Sequence, residues 1–142
     1  MGLVDQAAGK WAASAAEFRR IVDLRPPEPK GSTAYYDLGI ALAHLGRYGD
    51  AAGAFRSALG LDGEFLAAMA NLIAVDLAAG DLKEARTVGD RYVALAPESA
   101  RAIYSRGIVA LQAGDAATAR ADFGKLLSLD PSYAVAHYGL AR

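Results

Sequence analysis

The sequence predicts an all-α protein built from helix-turn-helix units of one length, stacked against each other. Three observations carry that expectation. Gly46, Gly80 and Gly114 recur every 34 residues, and other columns keep the step: Ala51 with Ala85 and Ala119, Pro97 with Pro131, Tyr36 with Tyr104 and Tyr138. A fixed period of this size marks one supersecondary unit used repeatedly. Apolar residues fall at helical spacing, as in Tyr35, Leu38, Gly39, Leu42 and Leu45. Proline is confined to positions 26, 27, 29, 97 and 131, so 30–96 and 98–130 contain no break in a helical chain.

The elements follow in order. In residues 1–31, Gly9, Phe18 and Pro26 fit the second half of an earlier, partial unit, with Gly9 in the column of Gly46, and Gly9 to Gly46 spans 37 residues, which places a three-residue insertion at Pro27-Glu28-Pro29-Lys30. Unit 32–65 opens at Ser32, read as a helix N-cap. Its first helix ends at Gly46, and Ala51, Ala54, Phe55, Ala58 and Leu59 form the stripe of a second helix that closes before Asp62-Gly63. Units 66–99 and 100–133 repeat the design, with Asp81 and Asp115 as N-caps after their turn glycines. Asp130-Pro131 begins another helix, and 134–142 reads as the start of a further unit. Neither helix of a unit can bury its apolar face alone, so the units must stack.

Composition narrows the chemistry. At 142 residues the chain can bury a core without a staple, and its net charge of -1 leaves no electrostatic footprint for nucleic acid. The absence of cysteine removes disulfides, thiolate catalysis and cysteine-ligated zinc. His44 and His137 lack metal-ligand spacing, and neither Gly9-Lys10 nor Gly124-Lys125 closes a phosphate-binding loop. No serine stands in a nucleophile elbow. Asp81, Lys83 and Glu84 read as a solvated helix start, and Arg19, Arg20 and Arg25 alternate with Glu17, Asp23 and Glu28 in a mixed charged face. The expectation is a non-enzymatic chain with no cofactor and no metal. No apolar run reaches the length of a bilayer span and the first residues lack a signal-peptide pattern, so the chain reads as soluble, cytoplasmic or periplasmic, with no membrane insertion.

Tyr35, Leu38, Gly39, Leu42, Ala51, Phe55 and Ala58 stand in the columns of the tetratricopeptide repeat, and Gly107, Ala119, Phe123 and Pro131, with Leu72, Ala85 and Pro97, continue the match. The sequence resembles that family over essentially its whole length. The resemblance implies a right-handed superhelix, an α-solenoid, whose first helices line a concave groove that grips a peptide or helical segment of a partner protein. The groove residues it implies are Tyr36, Ile40, Asn71, Ala74, Leu77, Arg101, Tyr104, Ile108, Leu111 and Tyr138, flanked by Thr33, Asp37, Ala43, Ala67, Ala70 and Ser105. Tyr36, Ile40, Ala74 and Ile108 stand where some relatives carry a carboxylate clamp, so the expected partner segment has apolar anchors. Partial units at both ends also imply a piece of a longer protein, and they raise a second expectation, a homo-oligomer assembled through the terminal helices.

Unit 66–99 departs from its neighbours in two ways. Ile73 occupies the column of Gly39 and Gly107 while Gly89 occupies that of Phe55 and Phe123, which reads as a volume-conserving exchange across the hairpin. Asp76 shares a column with Leu42 and Ala110, and Arg106 shares one with Leu38 and Leu72, which reads as an ion pair between adjacent first helices.

Overall fold

The computed structural model describes residues 3–132, within which seven helices and no strand are found. They are α1 (Leu3–Asp23), α2 (Lys30–His44), α3 (Tyr48–Leu61), α4 (Leu66–Ala79), α5 (Leu82–Leu95), α6 (Ala100–Gln112) and α7 (Ala116–Leu129). Each helix packs against the next in the chain. The first helices also touch one another, α2 with α4 and α4 with α6, while no comparable contact joins α3 to α5 or α5 to α7. A stack crowded on one side and open on the other must curve, so α2, α4 and α6 form its inner wall. The chain is an all-α repeat solenoid.

The turns inside the units are set by glycine. Gly46, Gly80 and Gly114 take φ of 76°, 82° and 80°, a left-handed conformation that costs other residues about 1–2 kcal/mol. The following aspartates cap as their position predicts: Asp81 accepts from the Glu84 amide at 3.2 Å and Asp115 from the Thr118 amide at 3.1 Å. Hydrogen bonds from the Thr118 hydroxyl and amide, reinforced by Arg86 of the preceding unit, lower the Asp115 carboxyl to about 2. Ser99 supplies a cap of the same kind to α6, accepting from the Ala102 amide at 3.2 Å.

Two local expectations change. Gly9, in the column of the turn glycines, lies inside α1, which runs through it unbroken. Ser32 does not cap α2, because the helix starts two residues earlier at Lys30. The inserted Pro27–Lys30 segment folds the Glu28 carboxylate back over the helix end, where it accepts from both the Ser32 amide and the Ser32 hydroxyl at 2.7 Å. Glu28 satisfies the orphan donor, and Ser32 is left buried behind it.

Within a hairpin the two helices approach until a ring meets a backbone. A Cβ placed on Gly39 would stand 2.6 Å from the Phe55 ring, and one on Gly107 would press closer still on the Phe123 ring, so the recurring pair of glycine and phenylalanine is a single packing device. Phe55, Leu42, Met69, Leu72 and Ile73 form the fully buried centre of the main core, and Ile103 with Leu126 forms a smaller second cluster. Between units the same basic column reaches back across the stack. Arg91 donates to the Gly63 carbonyl at 2.6 Å and Lys125 to the Pro97 carbonyl at 2.8 Å, tying each second helix to the loop that closes the previous unit.

In unit 66–99, Ile73 is buried, but the space above Gly89 belongs to the next unit. Its nearest neighbours are Cα, Cβ and Cγ of Arg106, at 3.6–3.7 Å from a Cβ built there. The missing ring makes room for the stem of that arginine. Gly89→Phe should therefore lower stability by about 1–3 kcal/mol through overpacking, measured as a fall in the thermal midpoint. A rise would show that the column simply lacks its aromatic.

The expected ion pair between Asp76 and Arg106 is not formed. Arg106 turns to Asp122 of its own hairpin, with Nε 2.8 Å from Oδ2 and Nη2 2.6 Å from Oδ1, while Asp90 lies 4.0 Å away. A two-pronged bond within the hairpin outcompetes a single reach between units. It also raises the Arg106 guanidinium above its ordinary value.

Candidate functional site

The residues implied by the repeat columns, Tyr138 apart, stand on α2, α4 and α6, and their surroundings differ. Tyr36 is half-buried on α2, its ring stacked on Phe65 with centroids 5.0 Å apart and tilted against Phe55 at 5.9 Å. Its hydroxyl accepts from Asn71 Nδ2 at 3.1 Å, and the same amide group donates to the Ala67 carbonyl at 2.9 Å. Tyr36 and Asn71 thus join α2 to α4, and neither polar tip is left to a ligand alone. Ile40 and Leu77 are half-buried against the main core, and Ala74 is exposed between them in sequence.

Farther along, Tyr104 is half-buried against the Ile103 and Leu126 cluster, and Ile108 is half-buried one turn later. Leu111 is 55% exposed, an apolar side chain standing in water at the end of α6, and Arg101 is exposed at its start. Ala70, in the tyrosine column, is buried in the main core. Burial pushes the Asp37 carboxyl, half-covered beside Tyr36, above the usual carboxylate range. Tyr138 and the 134–142 segment, on which the expected assembly through terminal helices depends, lie outside the described residues.

Sequence reasoning passed over three features. Phe65 supports Tyr36 from the loop before α4, a partnership that needs the turn at Asp62-Gly63 to bring the ring back. Trp11 on α1 stacks face to face on His44 at the end of α2, with centroids 3.9 Å apart and planes 1° from parallel, beside an open cleft of about 390 Å³ lined by Ala7, Lys10, Trp11 and Ser14. The third is acidic. Asp76 is 1% exposed, and one oxygen of each of Asp76, Asp81 and Glu84 lies within 4.8 Å of the others. Burial, reinforced by Glu84, pushes the Asp76 carboxyl up to about 8. Glu84 is half-buried rather than solvated, because Asp76 faces it from α4 and Arg56 holds its other side at 3.3 Å.

Among the described residues no helix is long and apolar enough to cross a membrane. No curated protein matches the chain. Among solved structures, YrrB, described as a TPR protein with an unusual peptide-binding site, superposes with a TM-score of 0.80 at 17% identity, over 94% of this chain and 68% of its own. MamA from Desulfovibrio magneticus RS-1 gives 0.66 at 29% identity over 83% of this chain and 76% of its own. The second TPR of Spaghetti (RPAP3), bound to the HSP90 peptide SRMEEVD, gives 0.65 at 22% identity over 70% and 92%. A family model described as tetratricopeptide repeat matches residues 1–64 and 104–142, and a second of the same description matches 42–105. With the matched residues, the 34-residue glycine turns and the paired helices all in agreement, the chain belongs to the tetratricopeptide repeat family.

Proposed function

We propose that the chain is a protein-interaction scaffold that binds a peptide or helical segment of a partner along the inner wall of α2, α4 and α6. The observation that carries this reading is a repeated apolar pair left half-exposed: Tyr36 with Ile40 on α2 and Tyr104 with Ile108 on α6. Tyrosine offers a large rigid face with a polar tip, and isoleucine one turn away widens the apolar strip. Peptide complexes of a fold neighbour support a peptide-sized occupant. The wall here differs in chemistry from a surface built for an acidic tail, since Arg101 is the one cation among the ten residues named for it.

The segment that suits this wall therefore has spaced apolar anchors and engages little charge. Affinity is expected in the micromolar range, on the order of -8 kcal/mol, with weak salt dependence. The test selects binding peptides from a displayed library and measures one of them by calorimetry. Changing Tyr104 and Ile108 together to Ser should weaken it by about 2–4 kcal/mol, while circular dichroism and the unfolding transition stay near wild type. Tyr36 is left unchanged because it joins two units through Asn71. If the double variant binds the peptide unchanged, the inner wall is not the binding surface.

A further inference from the structure

We propose that Asp76, Asp81 and Glu84 form a binding site for a hard divalent cation, with calcium as its probe, at the turn between α4 and α5. The site begins with two orphaned oxygens. Asp76 Oδ2 and Glu84 Oε1 are both buried and neither has a hydrogen-bond partner. Such groups are rare in folded proteins because their desolvation goes uncompensated. Asp76 is 1% exposed, and one of its carboxylate oxygens lies within 4.8 Å of an oxygen of each of two further carboxylates.

The donor atoms match one ion. They lie within 4.8 Å of one another, and two oxygens on a calcium at about 2.4 Å stand no farther apart than that. All three donors are hard carboxylate oxygens with no sulfur or imidazole among them, which favours calcium or magnesium over zinc. Beside them an open cleft of about 280 Å³, lined by Asp81, Lys83, Glu84 and Thr87, leaves space for the waters that complete a shell of six to eight. Arg56 sits on the other oxygen of Glu84, so it holds that side chain in place and leaves Oε1 without a partner. The cap hydrogen bond from the Glu84 amide fixes Asp81 in the same way through Oδ1.

The repeat itself does not require these acids. The three positions hold Leu42, Arg47 and Asp50 in the preceding unit and Ala110, Asp115 and Thr118 in the following one, and both of those hairpins close. Unit 66–99 has replaced an apolar core position with a carboxylate and placed two more across the turn. An ion there would tie the last turn of α4 to the first turn of α5. The positive end of the α5 dipole and Lys83 oppose it, which keeps the affinity modest, on the order of 0.1–1 mM.

The experiment is calorimetric titration of the whole chain with calcium chloride at pH 8.5, where the Asp76 carboxyl is mostly ionised, with magnesium in parallel, and a thermal unfolding series at matched ionic strength. Saturating calcium at about ten to a hundred times the dissociation constant should raise the folding equilibrium constant roughly ten- to a hundred-fold and lift the thermal midpoint. Asp76→Asn should remove both the binding heat and the shift. Asp81→Asn is the second variant, since asparagine caps a helix as well as aspartate and the fold survives. Absence of any calcium or magnesium response in the wild type overturns the proposal. So does a response that persists unchanged in both variants, which would place the ion elsewhere. A wild type indifferent to both metals, with Asp76→Asn more stable than it, would show instead that Asp76 and Glu84 share a proton.

Discussion

Phe55→Ala is expected to cost about 3–5 kcal/mol, a large part of the 5–15 kcal/mol that holds a typical domain folded. The ring is fully buried between α2 and α3, and it rests on the bare backbone of Gly39. Removing it leaves a cavity that neither helix can fill, since Gly39 has no side chain to move in. Because a repeat stack is held by contacts between neighbours, the loss should also loosen unit 32–65 from its flanks and broaden the denaturant transition. The matching change at the other hairpin, Phe123→Ala, should cost less, because that ring is only half-buried. Gly39→Ala probes the same contact from the other side. A methyl group 2.6 Å from the ring forces the helices apart, at about 1–3 kcal/mol, and Phe55→Leu should relieve part of that cost. Strict additivity of Gly39→Ala and Phe55→Leu in a double-mutant cycle would show that the two columns do not act as one device.

The second large effect is expected at Arg106. Arg106→Leu should destabilise by about 3–5 kcal/mol, because it strands the Asp122 carboxylate, whose side chain is 4% exposed, without its partner. The cure lies in the repeat. Leu72 and Val88 hold the corresponding places in unit 66–99, as Leu38 and Ala54 do in unit 32–65, and all four are buried. The double variant Arg106→Leu with Asp122→Val should return to wild-type stability or exceed it, since an apolar pair carries no desolvation cost. Urea unfolding of the four proteins decides the matter. If the double variant is as weak as the single one, the pair does more than replace an apolar contact. The nearness of Gly89 to the Arg106 stem adds a boundary: leucine is branched where arginine is straight, so part of any shortfall would come from that contact.

The architecture could be read from residues alone because its rules are local and repeated. A glycine every 34 residues takes a left-handed turn whatever surrounds it, an aspartate after that turn finds its cap three residues on, and an apolar stripe at helical spacing has to be covered by a neighbour. The same locality places Tyr36, Ile40, Tyr104 and Ile108 on the first helices. Ser32 failed as a cap for a local reason as well, since an insertion with no counterpart in the other units brought Glu28 to the helix end first.

Choices among partners were of another kind. Arg106 had an acid within reach in both directions, and whether it turned to its own hairpin or to the neighbouring unit depended on how closely α6 and α7 pack, which no spacing encodes. Asp76 and Glu84 were separate features of two helices until the α4–α5 turn buried them together. Tyr36 became part of a joint with Phe65 and Asn71, and Ala70 of the same column became core. Periodicity specifies which face a side chain occupies. Which atoms meet it there is settled by packing between helices distant in the chain, where differences of an ångström separate an ion pair from a stranded charge.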